Sequence, residues 1–173
     1  MTPTYSLLET PPEDRAAMTA LLREYYHFIV ARIDAAGGPA FDIDTLLQDY
    51  WDNAGDFLPP RGATVLAHDA QGALLGCGML KAIGPTRGEL KRLFVRDAAR
   101  GHGVGRRLVE MRIDAARAMG LWELLVDTLR NNHEMLGLYT SLGFEKVPPF
   151  PESTTYDQYP DLGRVMVFLK RRL

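Results

Sequence analysis

Arg100-Gly101-His102-Gly103-Val104-Gly105 places glycine at every second position, between a strand-like run (Leu90 to Val95) and a stretch with helical spacing (Arg106 to Met111). Glycine lacks a Cβ atom, so this turn can set several backbone N–H groups against one phosphate. The helix N-terminus adds roughly half a positive charge at the same point, and Arg100, Arg106 and Arg107 add full charges. The stretch therefore predicts a site for a cofactor that carries a pyrophosphate.

Two other phosphate-binding motifs match this stretch only in part. A P-loop requires lysine and then serine or threonine after its last glycine, whereas Arg106 and Arg107 follow here. The dinucleotide motif Gly-x-Gly-x-x-Gly/Ala fails at its last position, which falls on Arg106 or Leu108. Asp127, at the end of a later predicted strand, stands where a ribose ligand would, so these residues alone leave a dinucleotide open as an alternative.

The order Arg-x-x-Gly-x-Gly resembles the pyrophosphate loop of the GNAT N-acetyltransferase superfamily. Gly88 to Val95 is similar to the fourth strand of that family and Leu125 to Thr128 to its fifth strand. Asn132 to Tyr139 resembles the helix that follows, and Leu142 to Glu145 resembles the exit from that helix. The match covers residues 63–147. It implies acetyl-CoA as co-substrate, an amine as acceptor, and direct attack of the amine in a ternary complex.

The periodicity of apolar residues predicts an α/β fold in the order αα-βββ-α-β-α-ββ. Thr10 is expected to cap the first helix and Asp42 to begin the second. Strands are expected from Ala63, around the turn Asp69–Gly72, and after Gly88. The later elements are predicted as a helix over 103–119, a strand over 121–129, a helix over 132–142, a strand over 143–147, a loop over 148–162 and a strand over 164–170. Together they predict a mixed, mostly antiparallel sheet with helices on both faces, as in GNAT folds, within a single domain spanning residues 1–173.

The composition excludes several classes of protein. The chain has 173 residues, 46% of them apolar, and a formal net charge of −2, which argues against binding to nucleic acid or an anionic membrane. No apolar run approaches the roughly 20 residues of a membrane span, and the N-terminus does not resemble a signal peptide. Cys77 is the single cysteine, in an apolar strand. It is expected to be a buried, inert thiol in a cytoplasmic protein.

Acetyl transfer to an amine needs proton removal and stabilisation of negative charge. An aliphatic amine with a pKa of ~10.4 is neutral in roughly one molecule in two thousand at pH 7, which adds about 4–5 kcal/mol to the barrier. A base near the amine therefore matters more than an acid near the sulfur, because a thiolate leaves readily. The thioester oxygen needs a hydrogen-bond donor. By resemblance, a backbone N–H of Leu93, Phe94 or Val95 supplies it, at a bulge that splays the fourth strand from the fifth.

The resemblance also implies candidate catalytic residues. Tyr139 is expected to donate its phenolic proton to the leaving thiolate, and the alternative is a core aromatic residue. Glu89 is the first candidate for the base, directly or through water, and the alternative is a surface carboxylate paired with a neighbouring cation. Glu123 and Asp127 are weaker candidates for the base. Asn132 is expected to contact the pantetheine arm, to cap its helix, or to do both.

The predicted cofactor site combines the fourth strand, the glycine loop and the next strand-to-helix turn. Its members are Leu93, Phe94, Val95, Arg100, Gly101, His102, Gly103, Val104, Gly105, Arg106 and Asn132. His102 is interpreted as a neighbour of the phosphate rather than as a base. The other histidines and Cys77 have no spacing typical of metal ligands, so no metal is predicted.

The acceptor is less well defined by the sequence. Six aspartates lie between Arg32 and Arg61, and Glu152, Asp157 and Asp161 lie between Lys146 and Arg164, in both cases without a lysine or arginine. An acidic rim there would attract a cationic amine from a small molecule or a peptide, and the alternative is a solvated acidic surface. The oligomeric state stays open, with a homodimer as one option. Two other functions remain as alternatives: a non-catalytic acyl-CoA-binding sensor or partner domain, and a nucleotide-binding enzyme of another type.

Overall fold

The computed structural model describes residues 2–173, in which seven strands and five α-helices position the predicted site. The strands are β1 (Thr4–Leu7), β2 (Gly62–His68), β3 (Leu74–Ala82), β4 (Arg87–Val95), β5 (Glu123–Leu129), β6 (Glu145–Val147) and β7 (Met166–Arg172). The helices are α1 (Arg15–Ala35), α2 (Ile43–Asp52), α3 (Val104–Ala118), α4 (His133–Ser141) and α5 (Thr154–Gln158).

The strands form one sheet in the order β1-β2-β3-β4-β5-β7-β6. β4 and β5 run parallel, because α3 crosses over between them, and the other neighbouring pairs are antiparallel. The prediction of a mixed, mostly antiparallel sheet is confirmed.

Alternating side chains of the strands cover two cores. Leu66 of β2 packs in a cluster with Leu21 of α1, whereas its neighbour Val65 packs with Leu108 of α3. Because successive side chains of a strand point to opposite faces, these contacts place α1 on one face and α3 on the other. Helices therefore lie on both faces, as predicted.

β4 carries the bulge expected from the resemblance. Its Lys91 lies opposite Met79 and its Phe94 opposite Cys77, so two residues, Arg92 and Leu93, face one residue of β3. Arg92 has φ +48°, an uncommon conformation for a residue other than glycine. This extra residue bends the strand where the predicted site begins.

Beyond the bulge, β4 and β5 no longer pair. Their parallel register covers only Arg87–Leu90 against Glu123–Val126. Residues 91–95 thus have no neighbouring strand on the β5 side, which leaves a gap in the middle of the sheet. The expected splaying of the two strands is confirmed.

A buried arginine of α3 bridges the bulge. Arg112 is fully buried, and its Nη1 donates to the carbonyl oxygens of Met79 (3.0 Å) and Lys91 (3.3 Å). Gly78 makes room for it, since a Cβ atom there would lie 2.7 Å from Arg112 Nε. The guanidinium therefore satisfies carbonyl groups of β3 and β4 at the point where the ladder is irregular.

The N-terminal region differs from the prediction. Asp14, not Thr10, caps the first helix, and its carboxylate accepts from the backbone N–H of Ala17 at 2.8 Å. Thr10 precedes two prolines, which cannot donate hydrogen bonds, and the helix begins after them. A strand that the sequence pattern did not reveal, β1, pairs with β2 at the sheet edge.

The C-terminal region differs as well. Residues 148–162, predicted as a loop, contain the short helix α5, which Ser153 caps by accepting from Tyr156 N. The last strand, β7, begins at Met166, two residues later than predicted, and runs to Arg172. Among residues 2–173, no helix is long and apolar enough to cross a bilayer.

Candidate active site

A cavity of about 350 Å³ lies between β4, the glycine loop and α4. This loop cavity gathers all of the predicted cofactor residues except His102. Those that line it are Leu93, Phe94, Val95, Arg100, Gly101, Gly103, Val104, Gly105, Arg106 and Asn132. The His102 side chain is exposed and its Nδ1 lies 2.8 Å from the Arg100 carbonyl oxygen, to which it must donate.

The backbone of the loop is shaped to receive an anion. Gly101 and Gly103 have φ +76° and +78°, which only glycine adopts without strain. Gly103 is the N-cap residue of α3, and no side chain caps this helix. The first N–H groups of α3 therefore face the loop cavity without a side-chain partner, the arrangement that suits a phosphate.

Two arginines add positive charge beside these N–H groups. Arg100 forms an ion pair with Asp97 (2.7 Å), and its Nε donates to the Val95 carbonyl. Arg106 donates to the hydroxyl of Ser141 at 2.8 Å, and it has no carboxylate within 4.0 Å among residues 2–173. Arg106 thus keeps a charge that no neighbouring carboxylate neutralises.

Sequence patterns missed several walls of the loop cavity. Met135 and Leu138 of α4 also line it, and they follow Asn132 at successive intervals of three residues, which places neighbouring members of the series on one side of the helix. That spacing could have predicted Met135 and Leu138 as further residues of the cofactor site. Phe28 of α1 lines the cavity from far away in sequence, and no local pattern points to it.

A second cavity, of about 230 Å³, lies on the other side of the gap between β4 and β5. It is bounded by α1, the Arg92 bulge, the end of β5 and α5, and we name it the acceptor pocket. Leu93, Asn132 and Met135 line both cavities. The two cavities therefore meet where the strands separate.

Asn132 stands at this meeting point. It is 4% exposed and occupies the N-cap position of α4, yet its side chain makes no hydrogen bond to that helix. Its Oδ1 instead accepts from Arg32 Nη1 at 3.4 Å. The interpretation of Asn132 as a helix cap is wrong, and its amide is available to the cavities.

Tyr139 is both a core residue and a wall of the acceptor pocket. Its ring packs edge-on against Phe144, with centroids 5.3 Å apart. Burial raises the pKa of the Tyr139 phenol above its usual 10.0, and the charge of Arg112 offsets only part of that increase. The phenol is therefore protonated at neutral pH and can donate a hydrogen bond.

Glu89 lies behind the pocket wall. Its side chain is fully buried and is not part of the lining. Oε1 lies 3.2 Å from Lys91 Nζ, and Oε2 accepts from the backbone N–H (3.3 Å) and the hydroxyl of Thr154. Because Thr154 lines the pocket, its hydroxyl separates Glu89 from the cavity.

Lys91 joins Glu89 to a second carboxylate. Its Nζ donates to Thr155 Oγ1 at 2.6 Å and lies 3.7 Å from Asp127 Oδ2. Asp127 lines the acceptor pocket and accepts from the hydroxyl of Ser153 at 2.7 Å. The N-terminus of α5 therefore closes over a buried cluster of two carboxylates and one ammonium group.

The predicted acidic rim is largely absent from the pocket. Of the aspartates between Arg32 and Arg61, only Asp49 lines it. Asp56 is neutralised by Arg61 and Lys81, at 3.0 and 2.8 Å. Across residues 2–173, no group of three potential metal ligands comes together.

The glycine loop borders one of two cavities that meet at the gap between β4 and β5. The family model for the acetyltransferase (GNAT) family matches residues 15–144. The chain belongs to the GNAT acetyltransferase family. It moves an acetyl group from acetyl-CoA to an amine, which excludes the nucleotide-binding alternative.

Three known proteins illustrate the similarity of this GNAT acetyltransferase to others. It is 43% identical to an IAA acetyltransferase of Azospirillum brasilense, over 82% of this chain and 84% of the relative. It is 34% identical to an L-methionine sulfoximine/L-methionine sulfone acetyltransferase of Pseudomonas aeruginosa, over 51% and 54%. An acetyltransferase structure from Salmonella typhimurium with its cofactor acetyl-CoA shares the fold, with TM-score 0.65, 20% identity and coverage of 98% and 94%.

Proposed function

We propose that this GNAT acetyltransferase brings acetyl-CoA into the loop cavity and a small amine into the acceptor pocket, for direct transfer in a ternary complex. The observation that carries the proposal is that both cavities share Leu93, Asn132 and Met135 at the gap between β4 and β5. Two substrates that enter from opposite sides reach one point there. Such proximity removes the need for a covalent acetyl-enzyme.

The residues of the loop cavity suit acetyl-CoA. The uncapped start of α3 and the Arg106 guanidinium complement a pyrophosphate. The backbone groups of 93–95 that face the gap suit the amides of the pantetheine arm and the thioester oxygen. Bound acetyl-CoA supplies the acetyl group as a thioester.

Glu89 is our candidate for the base, acting through Thr154. The amine passes its proton to the Thr154 hydroxyl oxygen, directly or through one bridging water, while that hydroxyl passes its own proton to Glu89 Oε2. Asp127 is the alternative, because its carboxylate lines the pocket itself. Tyr139 donates its phenolic proton on the sulfur side, where the departing thiolate gains charge.

The size of the acceptor pocket favours a small molecule over a peptide amine. A cavity of about 230 Å³, bounded by α1 and α5, accommodates a compact acceptor. The Pseudomonas relative, named for acetylation of L-methionine sulfoximine and L-methionine sulfone, supports a small amine. A peptide amine remains the second candidate.

The first experiment separates binding from turnover. With acetyl-CoA at one hundred times its Kd, binding adds about 2.7 kcal/mol, which is a rise in melting temperature of roughly 5–11 °C for a domain of this size. NAD and ATP serve as controls. Release of CoA thiol with an amine panel, together with acetylated product by mass spectrometry, supports the enzyme, whereas binding without turnover on any amine favours the sensor alternative.

The location and assembly of the enzyme are part of the proposal. We place it in the cytoplasm as a single domain, supported by one buried cysteine without a partner for a disulfide. Cell fractionation tests the location. Sedimentation of the purified chain distinguishes a monomer from the proposed alternative, a homodimer.

A further inference from the structure

The acceptor pocket contains one cation without an acidic partner. Lys81, Lys91 and Arg92 line this pocket. Lys81 Nζ lies 2.8 Å from Asp56 Oδ2, and Lys91 Nζ lies 3.2 Å from Glu89 Oε1. Among residues 2–173, no carboxylate oxygen lies within 4.0 Å of the Arg92 guanidinium. Its charge is therefore available to a ligand.

Aromatic residues hold the Arg92 side chain in place. Its Nε donates to the hydroxyl of Tyr26 at 2.9 Å. The guanidinium carbon lies 4.7 Å from the ring centre of Phe57 and 5.4 Å from that of Tyr50. Arg92 lies in the bulge of β4, where its backbone has the unusual φ of +48°. The guanidinium is thus fixed before any ligand arrives.

The contacts of Arg92 leave its two Nη groups free. Within residues 2–173, only Nε has a hydrogen-bond partner, and the residue is partly exposed to the pocket. Burial lowers the pKa of Arg92, but the neighbouring phenols of Tyr26, Tyr25 and Tyr50 raise it to a greater extent, so the group stays charged. Two parallel N–H groups of a fixed guanidinium match a carboxylate in geometry and charge.

A purely structural role does not explain this arrangement. Stacking on Phe57 and Tyr50 and one bond to Tyr26 hold the position of the guanidinium but do not neutralise it. The two Nη groups of this partly exposed residue have no hydrogen-bond partner among residues 2–173, and a ligand in the pocket that Arg92 lines would reach them.

We propose that Arg92 binds a carboxylate of the acceptor, so that the acceptor is an amino acid rather than a simple amine. This inference rests on the proposed function. Asp127, on the wall of the same pocket, supplies the opposite charge for the ammonium group. Arg92 directly precedes Leu93, which lines both cavities, so a carboxylate at Arg92 places the attached amine towards the junction.

The first test varies the acceptor. After a panel of amino acids identifies the best acceptor, kcat/KM is compared between this amino acid, its primary carboxamide and the amine that lacks the carboxyl group. All three retain the amine. Loss of one charged hydrogen-bonding pair predicts about a 10- to 100-fold lower kcat/KM for the two uncharged analogues.

The second test removes the guanidinium. Arg92→Gln is expected to lower kcat/KM for the amino acid by about 10- to 100-fold and to leave that for the carboxamide nearly unchanged. Arg92→Lys keeps the charge without the two parallel donors and is expected to fall between Arg92→Gln and the wild type. Lys81→Gln is the matched control, since it removes one positive charge that Asp56 already neutralises.

The result is expressed as the ratio of kcat/KM for the amino acid to kcat/KM for its carboxamide. A folding defect does not change this ratio, because loss of active protein lowers both values equally. The thermal shift with acetyl-CoA checks each variant independently. Equal kcat/KM for amino acid and carboxamide in the wild type overturns the inference while leaving the N-acetyltransferase intact. The inference is also overturned if Arg92→Gln still prefers the amino acid to its carboxamide. It is overturned as well if Lys81→Gln loses this preference to the same extent as Arg92→Gln. If no amine is acetylated, the proposed function fails and the inference fails with it.

Discussion

Tyr139 shows at the scale of one residue how packing and chemistry combine. Its ring is 3% exposed and contributes to the same core as Phe144, while the side chain also lines the acceptor pocket. Burial keeps the phenol protonated, because the pKa of the group is raised above 10.0. A rigid, protonated donor costs little reorganisation when the thiolate leaves.

Tyr139→Phe tests this role. We expect kcat to fall about 10- to 100-fold, with the acetyl-CoA Kd unchanged within about twofold, because the ring still fills the core. In the wild type, kcat should not decline between pH 7 and 9.5, since Tyr139 loses its proton only above pH 10. Steady-state kinetics measure both effects, with Tyr156→Phe outside the pocket as control. A wild-type kcat in Tyr139→Phe would remove this residue from the mechanism.

Glu89 and Asp127 make opposite predictions at the same scale. If Glu89 accepts the proton through Thr154, Glu89→Gln lowers kcat/KM by about 100-fold at pH 7 and by less at pH 9, where more of the amine is already neutral. Asp127→Asn should then have the smaller effect. The pH dependence of kcat/KM for the two variants decides the point. A larger, pH-rescued loss in Asp127→Asn would assign the base to Asp127.

The elements that matter most are β4 and α3. The bulge in β4 both opens the gap to β5 and turns Arg92 into the acceptor pocket. Arg112 of α3 spans the bulge by bonding to carbonyls of β3 and β4, and its Nη2 lies buried without a hydrogen-bond partner among the described residues. Burial lowers the pKa of Arg112, so its charge is kept at a cost in solvation.

Arg112→Met tests whether this contact shapes the bulge. The substitution leaves the carbonyls of Met79 and Lys91 without this donor, and we expect the free energy of unfolding to fall by about 1–3 kcal/mol. The acetyl-CoA Kd should rise as well, since residues 93–95 follow the bulge. Urea unfolding and titration calorimetry measure the two. Arg117→Met, an exposed change on the same helix, is the control, and equal values for both variants would contradict the role of Arg112.

At the scale of the whole molecule, burial of weak acids sets the response to alkali. Burial raises the pKa of the Cys77 thiol from 9.0 to about 12, which agrees with the prediction of a buried, inert cysteine. Burial also raises the pKa values of Tyr25, Tyr50 and Tyr139. Each group is neutral in both states at low pH, and the unfolded chain loses its protons first as the pH rises.

Stability is therefore expected to decline in alkaline solution. Between pH 9 and pH 12, Cys77 ionises in the unfolded chain but not in the folded protein, which lowers the free energy of unfolding by up to about 1.4 kcal/mol per pH unit. The tyrosines add to the slope above pH 10. Urea unfolding at pH 7.5, 9 and 10.5 measures it, and Cys77→Ala should show a shallower slope between pH 9 and 10.5. A flat profile across that range would contradict the argument.

Patterns among neighbouring residues were enough to predict the glycine loop and the order of most elements. These features depend on residues that are close in the sequence, so a local pattern predicts them. They include the positive φ values at Gly101 and Gly103, the start of α3 and the turn at Asp69–Gly72. Most of the residues predicted to bind the cofactor lie in two short segments, 93–95 and 100–106, with Asn132 apart from them, and all except His102 line the loop cavity. The bulge in β4 and the gap between β4 and β5 were expected only because those segments resemble GNAT enzymes.

The acceptor pocket depends on contacts between residues that are far apart in the sequence. Three such contacts are decisive: Glu89 is buried behind Thr154, β1 pairs with β2, and Arg92 bonds to Tyr26 but to no carboxylate of the described residues. Whether a charge is paired depends on every element that packs around it. Lys91 and Arg92 are adjacent in the sequence, yet Lys91 lies beside Glu89 and Asp127, whereas Arg92 has no carboxylate within 4.0 Å among residues 2–173. Local spacing carries no record of such contacts, because they form when α1, β4, β5 and α5 converge.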